Sequence, residues 1–167
     1  MKKTGIFYAS STGNTKDVAE MIARDLNLTA DNIYNVANTA PSAVADYDVI
    51  LIGSSTYGSG EIQDDMADFL DGLEELDLRG KTIAVFGCGD ESMTDTFCNA
   101  VGEIYKRLQK TGAKFIGRFN TDGYEFADSE ADINGSIVGL LIDNINHSEL
   151  TEKRVREWTD ILHKEIA

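Results

Sequence analysis

Three short apolar runs decide what this chain can fold into. Asp48-Val49-Ile50-Leu51-Ile52-Gly53-Ser54 and Thr82-Ile83-Ala84-Val85-Phe86-Gly87 are continuous rather than alternating, and Lys3–Ala9 supplies a first strand. Continuous runs of this length are the mark of parallel strands covered on both faces. Helical spacing separates them: Val18, Met21, Ile22 and Leu26 share a face of Asp17–Leu28, and Ile62, Met66, Phe69 and Leu70 share one further on. A short strand is expected over Asn32–Val36, and a further helix runs from near Phe97 to Gln109 with Val101, Ile104, Tyr105 and Leu108 inward. Gly112 stops that helix ahead of a last strand, Lys114–Gly117, and Glu152–Ile166 closes the chain as a helix with Trp158 in its packed face. Alternating strands and helices predict an α/β fold, a parallel sheet with helices on both faces.

The interval Arg118–Glu149 breaks the rhythm. It is rich in Asp, Gly and Asn, yet Ile137–Ile142 could form another short strand, and Tyr124 and Phe126 are costly to leave exposed. The interval therefore reads as an excursion interrupting the last strand, not as a linker. A single domain over residues 1–167 accommodates all of these elements.

Charge narrows the partners. Fifteen Lys and Arg residues against 29 Asp and Glu leave a net charge of −14, which argues against nucleic acid or an anionic membrane as a partner. It suits steering toward partners with basic faces, for which Glu61, Asp64, Asp65, Asp68 and Glu91 are candidate docking charges. No apolar run is long enough to cross a bilayer, and Met1-Lys2-Lys3 leads straight into a strand without a leader pattern, so a cytoplasmic location is expected. Cys88 and Cys98 have no closely spaced Cys or His partner and read as free thiols rather than a metal site. The two histidines, His147 and His163, stand far in sequence from the loops that matter most.

Those loops follow the carboxyl ends of strands, where open parallel sheets form their ligand crevice. Ser10-Ser11-Thr12-Gly13-Asn14-Thr15 combines hydroxyls, a glycine and the free amides of an incoming helix, a neutral cradle for one terminal phosphate. A helix-capping turn is the structural alternative. Asn14 after Gly13 removes the lysine of a Walker loop, and the repeated glycines of a dinucleotide fingerprint are missing. The second loop, Ser55-Thr56-Tyr57-Gly58-Ser59-Gly60, offers an aromatic face; the third, Cys88-Gly89-Asp90-Glu91-Ser92-Met93, offers the adaptable side chain of Met93. Asp90 could accept a ring imide hydrogen or merely cap its own turn. A single-phosphate cradle beside a planar-ring clamp describes a mononucleotide with a redox ring. Phosphatase chemistry fits less well, because positions 94 and 104 carry Thr94 and Ile104 where a C-x5-R loop needs arginine.

At these loops the chain resembles the long-chain flavodoxins. The resemblance rests on Ser10–Thr15, on Gly53-Ser54-Ser55-Thr56-Tyr57, on Gly87-Cys88-Gly89-Asp90, and on Thr121-Asp122-Gly123-Tyr124 and Gly139-Leu140 in the excursion. It implies a three-layer sandwich around a five-stranded parallel sheet of order 2-1-3-4-5, an order for which flavodoxins are a standing example. It also implies non-covalent FMN, with the phosphate at Ser10, Ser11, Thr12, Gly13, Asn14 and Thr15. The ring would lie among Thr56, Tyr57, Gly58, Ser59, Gly60, Cys88, Gly89, Asp90 and Met93. Gly58 would let its peptide reorient toward the flavin on reduction. The function implied is low-potential, single-electron transfer between redox proteins, such as a flavodoxin/ferredoxin-NADP reductase or a 2-oxoacid oxidoreductase, by a monomer that is not itself an enzyme. A flavin-dependent quinone or nitro-compound reductase is the enzymatic alternative. This chain departs from many long-chain members in having Tyr57 where they place tryptophan, and a shorter third loop with Met93 in place of the second aromatic residue.

Overall fold

The computed structural model describes residues 2–10, 12–57, 60–92, 96–120 and 123–166, with Tyr57 described by its backbone alone. Its elements in chain order are β1 (Thr4–Ala9), α1 (Asn14–Asp25), β2 (Ile33–Asn35), β3 (Val49–Tyr57), β4 (Glu61–Ile62), α2 (Asp64–Leu73), β5 (Thr82–Cys88), α3 (Asn99–Arg107), β6 (Lys114–Phe115), β7 (Asp132–Ile133), β8 (Ser136–Ile137), β9 (Gly139–Ile142) and α4 (Thr151–Ile166).

The sheet runs β2-β1-β3-β5, and two pieces share the fifth position. β6 pairs with the start of β5, Thr82 opposite Lys114 and Ile83 opposite Phe115. β9 takes over along the same edge, from Val85 opposite Gly139 to Cys88 opposite Ile142. All these pairings are parallel, so the order is that of the expected five-stranded sheet, and the excursion lies inside its last strand. Within the excursion, β7 and β8 form a small antiparallel pair. Tyr124 and Phe126 pack on Phe97, with ring centroids 6.0 and 5.5 Å from it, and are partly buried against the core.

Burial explains the continuous apolar runs. Val49–Ile52 and Ile83–Phe86 are fully buried because helices cover both sheet faces. α1 and α4 lie together, packed on β1, β3 and β9, while α2 and α3 pack on β1, β3 and β5 and are joined by Arg107, which pairs with Asp71 at 2.6 Å and with Glu74. Val18, Ala19, Ile22 and Ala23 form the buried stripe of α1; Val155, Trp158, Thr159 and Leu162 form that of α4. One hydrophobic cluster extends from Ile6 in β1 to Leu162 in α4. Among the described residues no helix is long and apolar enough to cross a membrane.

Two boundaries differ from expectation in ways that shape the loops. α1 starts at Asn14, so Thr15 falls in its first turn. β3 continues through Tyr57 because β4 folds back on it, pairing Thr56 with Ile62 and Tyr57 with Glu61.

Candidate functional site

The parallel register places the three loops at one edge of the sheet. Ala9 lies opposite Ser54, and Ser55 opposite Cys88, so the chain leaving β1, β3 and β5 emerges at the same end.

At the first loop, Ser10 Oγ accepts the Gly13 amide at 3.0 Å and turns the chain toward α1. Gly13 has φ +94°, a left-handed conformation that L side chains rarely adopt, and no atom lies within 4 Å of where a Cβ would sit. The first intrahelical bond runs from the Asp17 amide to Gly13 O at 3.0 Å. The preceding amides, of Asn14, Thr15 and Lys16, therefore have no acceptor within the helix. Thr12 is exposed and Asn14 partly so, while Thr15 is fully buried. Thr15 Oγ1 lies near enough to the Cys88 thiol to favour its ionised form, yet completes no hydrogen bond. A buried hydroxyl without a partner costs free energy unless something supplies one. A phosphate oxygen would do so, and the amides and open Gly13 suit the same anion.

The second loop is anchored to α3. Thr56 Oγ1 accepts the Ala100 amide at 3.2 Å, which commits that hydroxyl to the first turn of α3. Gly60 has φ +100°, and a Cβ there would meet Asn99 Nδ2 at 2.6 Å. Asn99 in turn accepts the Glu130 amide through Oδ1 at 2.9 Å, tying hairpin, helix and excursion together. Ser55 Oγ, at the start of this loop, is a second buried hydroxyl without a partner.

The third loop begins where the Gly89 amide donates to Ile142 O at 2.9 Å. A Cβ on Gly89 would come within 2.9 Å of the Cys98 amide nitrogen, so only glycine allows this approach. Asp90 Oδ1 accepts the Ser92 amide, the Ser92 hydroxyl and Asn146 Nδ2 at 2.8, 2.6 and 2.6 Å. The Ser92 hydroxyl is the main reason its carboxyl stays below the usual range. Burial raises Cys88 to about 12 and pushes Cys98 well above an ordinary thiol, which favours the protonated, poorly nucleophilic form of both. Both are free.

These features converge on one sheet edge, and the sequence profile of the family described as Flavodoxin matches residues 6–158. The chain belongs to the flavodoxin family. It is 39% identical to flavodoxin 1 of Escherichia coli over 169 residues, covering 99% of this chain and 96% of that protein. It is 36% identical to a Nostoc flavodoxin over 166 residues, covering 99% and 98% respectively. Among solved structures, the Fusobacterium nucleatum flavodoxin bound to flavin mononucleotide superposes with a TM-score of 0.90 at 31% identity, covering 99% of each chain.

Within this flavodoxin, Ser10, Thr12, Gly13, Asn14, Thr15, Thr56, Gly60, Cys88, Gly89 and Asp90 are all placed at the shared edge. Ser11, Gly58, Ser59 and Met93 lie outside the described residues, as does the Tyr57 side chain. One docking charge is corrected: Glu91 is buried, whereas Glu61, Asp64 and Asp68 are exposed and Asp65 partly so. His147 is also nearer the site than its place in the sequence suggested, with Nε2 3.5 Å from Glu91 Oε2.

The third loop carries a pH expectation. Burial opposes ionisation of Asp143, but the backbone and side chain of Asn146 and the amides of Glu91 and Ile145 together hold its carboxyl below the usual value, as Asp90 is also held. A carboxyl with a lowered folded-state pKa stabilises the fold above its unfolded value, about 3.9, and loses that contribution as pH falls through the folded value. Thermal midpoints of the apoprotein should therefore show no loss from these two groups between pH 7 and 5 and a fall below about pH 4. Asp143→Asn should make that acid limb shallower; an unchanged limb would show that Asp143 does not contribute.

Proposed function

We propose that this flavodoxin is a low-potential electron carrier that holds FMN non-covalently at the edge formed by the loops after β1, β3 and β5. The observation that carries the reading is the unpartnered Thr15 hydroxyl, set among free helix amides beside a left-handed Gly13. That cradle would hold the terminal phosphate without a cation from the loop. FMN would supply a ring that accepts electrons singly. The hairpin after β3, fixed by the Ala100–Thr56 bond and packed on Asn99 at Gly60, would present Tyr57 and Gly58 to the ring. Asp90 Oδ1 is taken by its own turn and Asn146, and the Gly89, Glu91 and Ser92 amides are committed to Ile142, Asp143 and Asp90, so the third loop would meet the ring through groups that these bonds do not use.

Charge around the third loop supports a low potential. Asp90, Glu91, Glu125, Asp143 and Glu149 gather there around Arg154 and the His147 ring, within a chain of net charge −14. Additional negative charge on a bound ring would be opposed by that field. The exposed carboxylates Glu61, Asp64 and Asp68 stand beside the second loop and suit weak, salt-sensitive docking to basic faces of redox proteins. A reductase of the flavodoxin/ferredoxin-NADP type or a 2-oxoacid oxidoreductase would be such a partner, met by a cytoplasmic monomer acting as one FMN-binding domain over residues 1–167.

A carrier takes electrons from a partner and not directly from a nicotinamide. The FMN-loaded protein alone should leave NADPH unoxidised, and adding a flavodoxin/ferredoxin-NADP reductase should reduce its flavin. Rapid NADPH oxidation by the isolated protein would contradict the carrier reading.

A further inference from the structure

The third loop is fastened to parts of the chain that neither cradle nor hairpin uses. Glu91 follows Asp90 and is 4% exposed. Its amide donates to Asp143 Oδ2 at 3.0 Å, and its Oε2 accepts the Glu125 amide from the excursion at 3.0 Å. Its Oε1 lies 3.6 Å from Arg154 Nη1 on α4. Arg154 is 6% exposed, sits over the Tyr124 ring at 4.0 Å and donates from Nη2 to Gly123 O at 3.0 Å. His147 closes the group, with Nε2 3.5 Å from Glu91 Oε2 and 3.6 Å from Glu125 Oε2, and Nδ1 3.6 Å from Glu149 Oε1.

Glu91, Asp143 and His147 offer ligand atoms within 4.8 Å of one another, a spacing that could suit a cation. Asp143 is already filled, however. Its Oδ1 accepts the Ile145 and Asn146 amides, and its Oδ2 accepts the Glu91 amide and Asn146 Nδ2. Arg154 provides the positive charge on the other side of Glu91. The joint is hydrogen-bonded at Glu91 Oε2 and at Asp143, while Glu91 Oε1 is buried without a hydrogen bond and faces Arg154 across 3.6 Å, so this carboxylate depends on Arg154 and would be expensive to leave unpaired.

We propose that Glu91 is a positioning residue for the flavin ring: paired with Glu125, His147 and Arg154, it latches the excursion and α4 onto the loop after β5. The latch rests on the FMN reading above. It acts chiefly on the ring, because Glu91 is bound to the excursion and α4, whereas the cradle is built on β1 and α1 and meets the end of β5 where Thr15 approaches Cys88.

That asymmetry gives a test that general loss of stability cannot mimic. Apoproteins of the parent, Glu91→Ala, Glu91→Gln and Arg154→Met would be titrated with FMN and with riboflavin, which has the ring but no phosphate. Inorganic phosphate would be followed by its effect on the thermal midpoint. Glu91→Ala and Arg154→Met should weaken riboflavin and FMN by about tenfold, within the usual range for coupling between a site and a remote contact, and leave the phosphate response unchanged. Glu91→Gln keeps an acceptor for the Glu125 amide and should fall between them and the parent. If Glu91→Ala does not fold, Glu91→Gln and Arg154→Met carry the same comparison. Riboflavin binding within about twofold of the parent in the folded variants, or an equal loss of the phosphate response, would overturn the latch. A parent protein that bound no FMN would overturn the flavin reading and the latch with it; normal parent binding with unmoved variants would overturn the latch alone.

Discussion

Trp158→Ala is expected to cost about 3–5 kcal/mol of stability, the range for removing a large aromatic side chain from a packed core. Trp158 is fully buried in α4, 6.2 Å from the Phe86 ring in β5, and its Nε1 donates to Gly117 O at 2.7 Å. The deletion would open a cavity between α4 and the sheet and also remove the donor to a carbonyl where the chain leaves β6 for the excursion. Against a total of about 5–15 kcal/mol for a domain of this kind, a loss of that size would bring the apoprotein close to its unfolding threshold. Trp158→Phe keeps most of the packing and loses the hydrogen bond, so about 1–2 kcal/mol is expected. Denaturant unfolding of the apoproteins measures both; a cost below about 1 kcal/mol for the alanine variant would show that α4 is not held to the sheet through this residue.

Thr15→Val is expected to separate stability from binding. Its hydroxyl is buried without a hydrogen bond, so an isosteric methyl should leave the apoprotein as stable as the parent or slightly more so. A hydrogen bond to a charged phosphate is worth about 1.5–3 kcal/mol, so FMN affinity should fall by roughly 10- to 150-fold. Thr15→Ser keeps the hydroxyl and should retain much of the affinity. Flavin fluorescence titrations give the affinities, and denaturant unfolding the stabilities. Unchanged FMN affinity in the valine variant would remove Thr15 from the phosphate site.

The contrast between these two residues shows what local pattern reveals. Trp158 was legible because Val155, Trp158 and Leu162 repeat at helical spacing, and Thr15 because it ends a hydroxyl-rich turn after a strand. The interrupted last strand was also accessible, since Tyr124 and Phe126 are costly to leave exposed and Ile137–Ile142 has a strand's apolar pattern, whereas the sheet order came with the resemblance to flavodoxins. Helix α1 begins three residues before the expected Asp17 because Gly13, with its left-handed backbone, starts the helix, and glycine carries no side-chain cap to advertise it. The end of β3 was hidden because it depends on the two-residue partner β4. Glu91 carries a charge, and charged residues are ordinarily exposed, so nothing local distinguishes it from the docking carboxylates. Its partners Arg154 and His147 lie on separate elements that only the folded chain brings to the third loop.

The central claim is that one FMN, held at the three-loop edge, exchanges electrons singly at low potential. An anaerobic potentiometric titration of the FMN-loaded protein tests it most directly. The expected result is one FMN per chain reduced in two well-separated one-electron steps, the second at a potential below that of free FMN. A single two-electron step at the potential of free FMN would contradict the account.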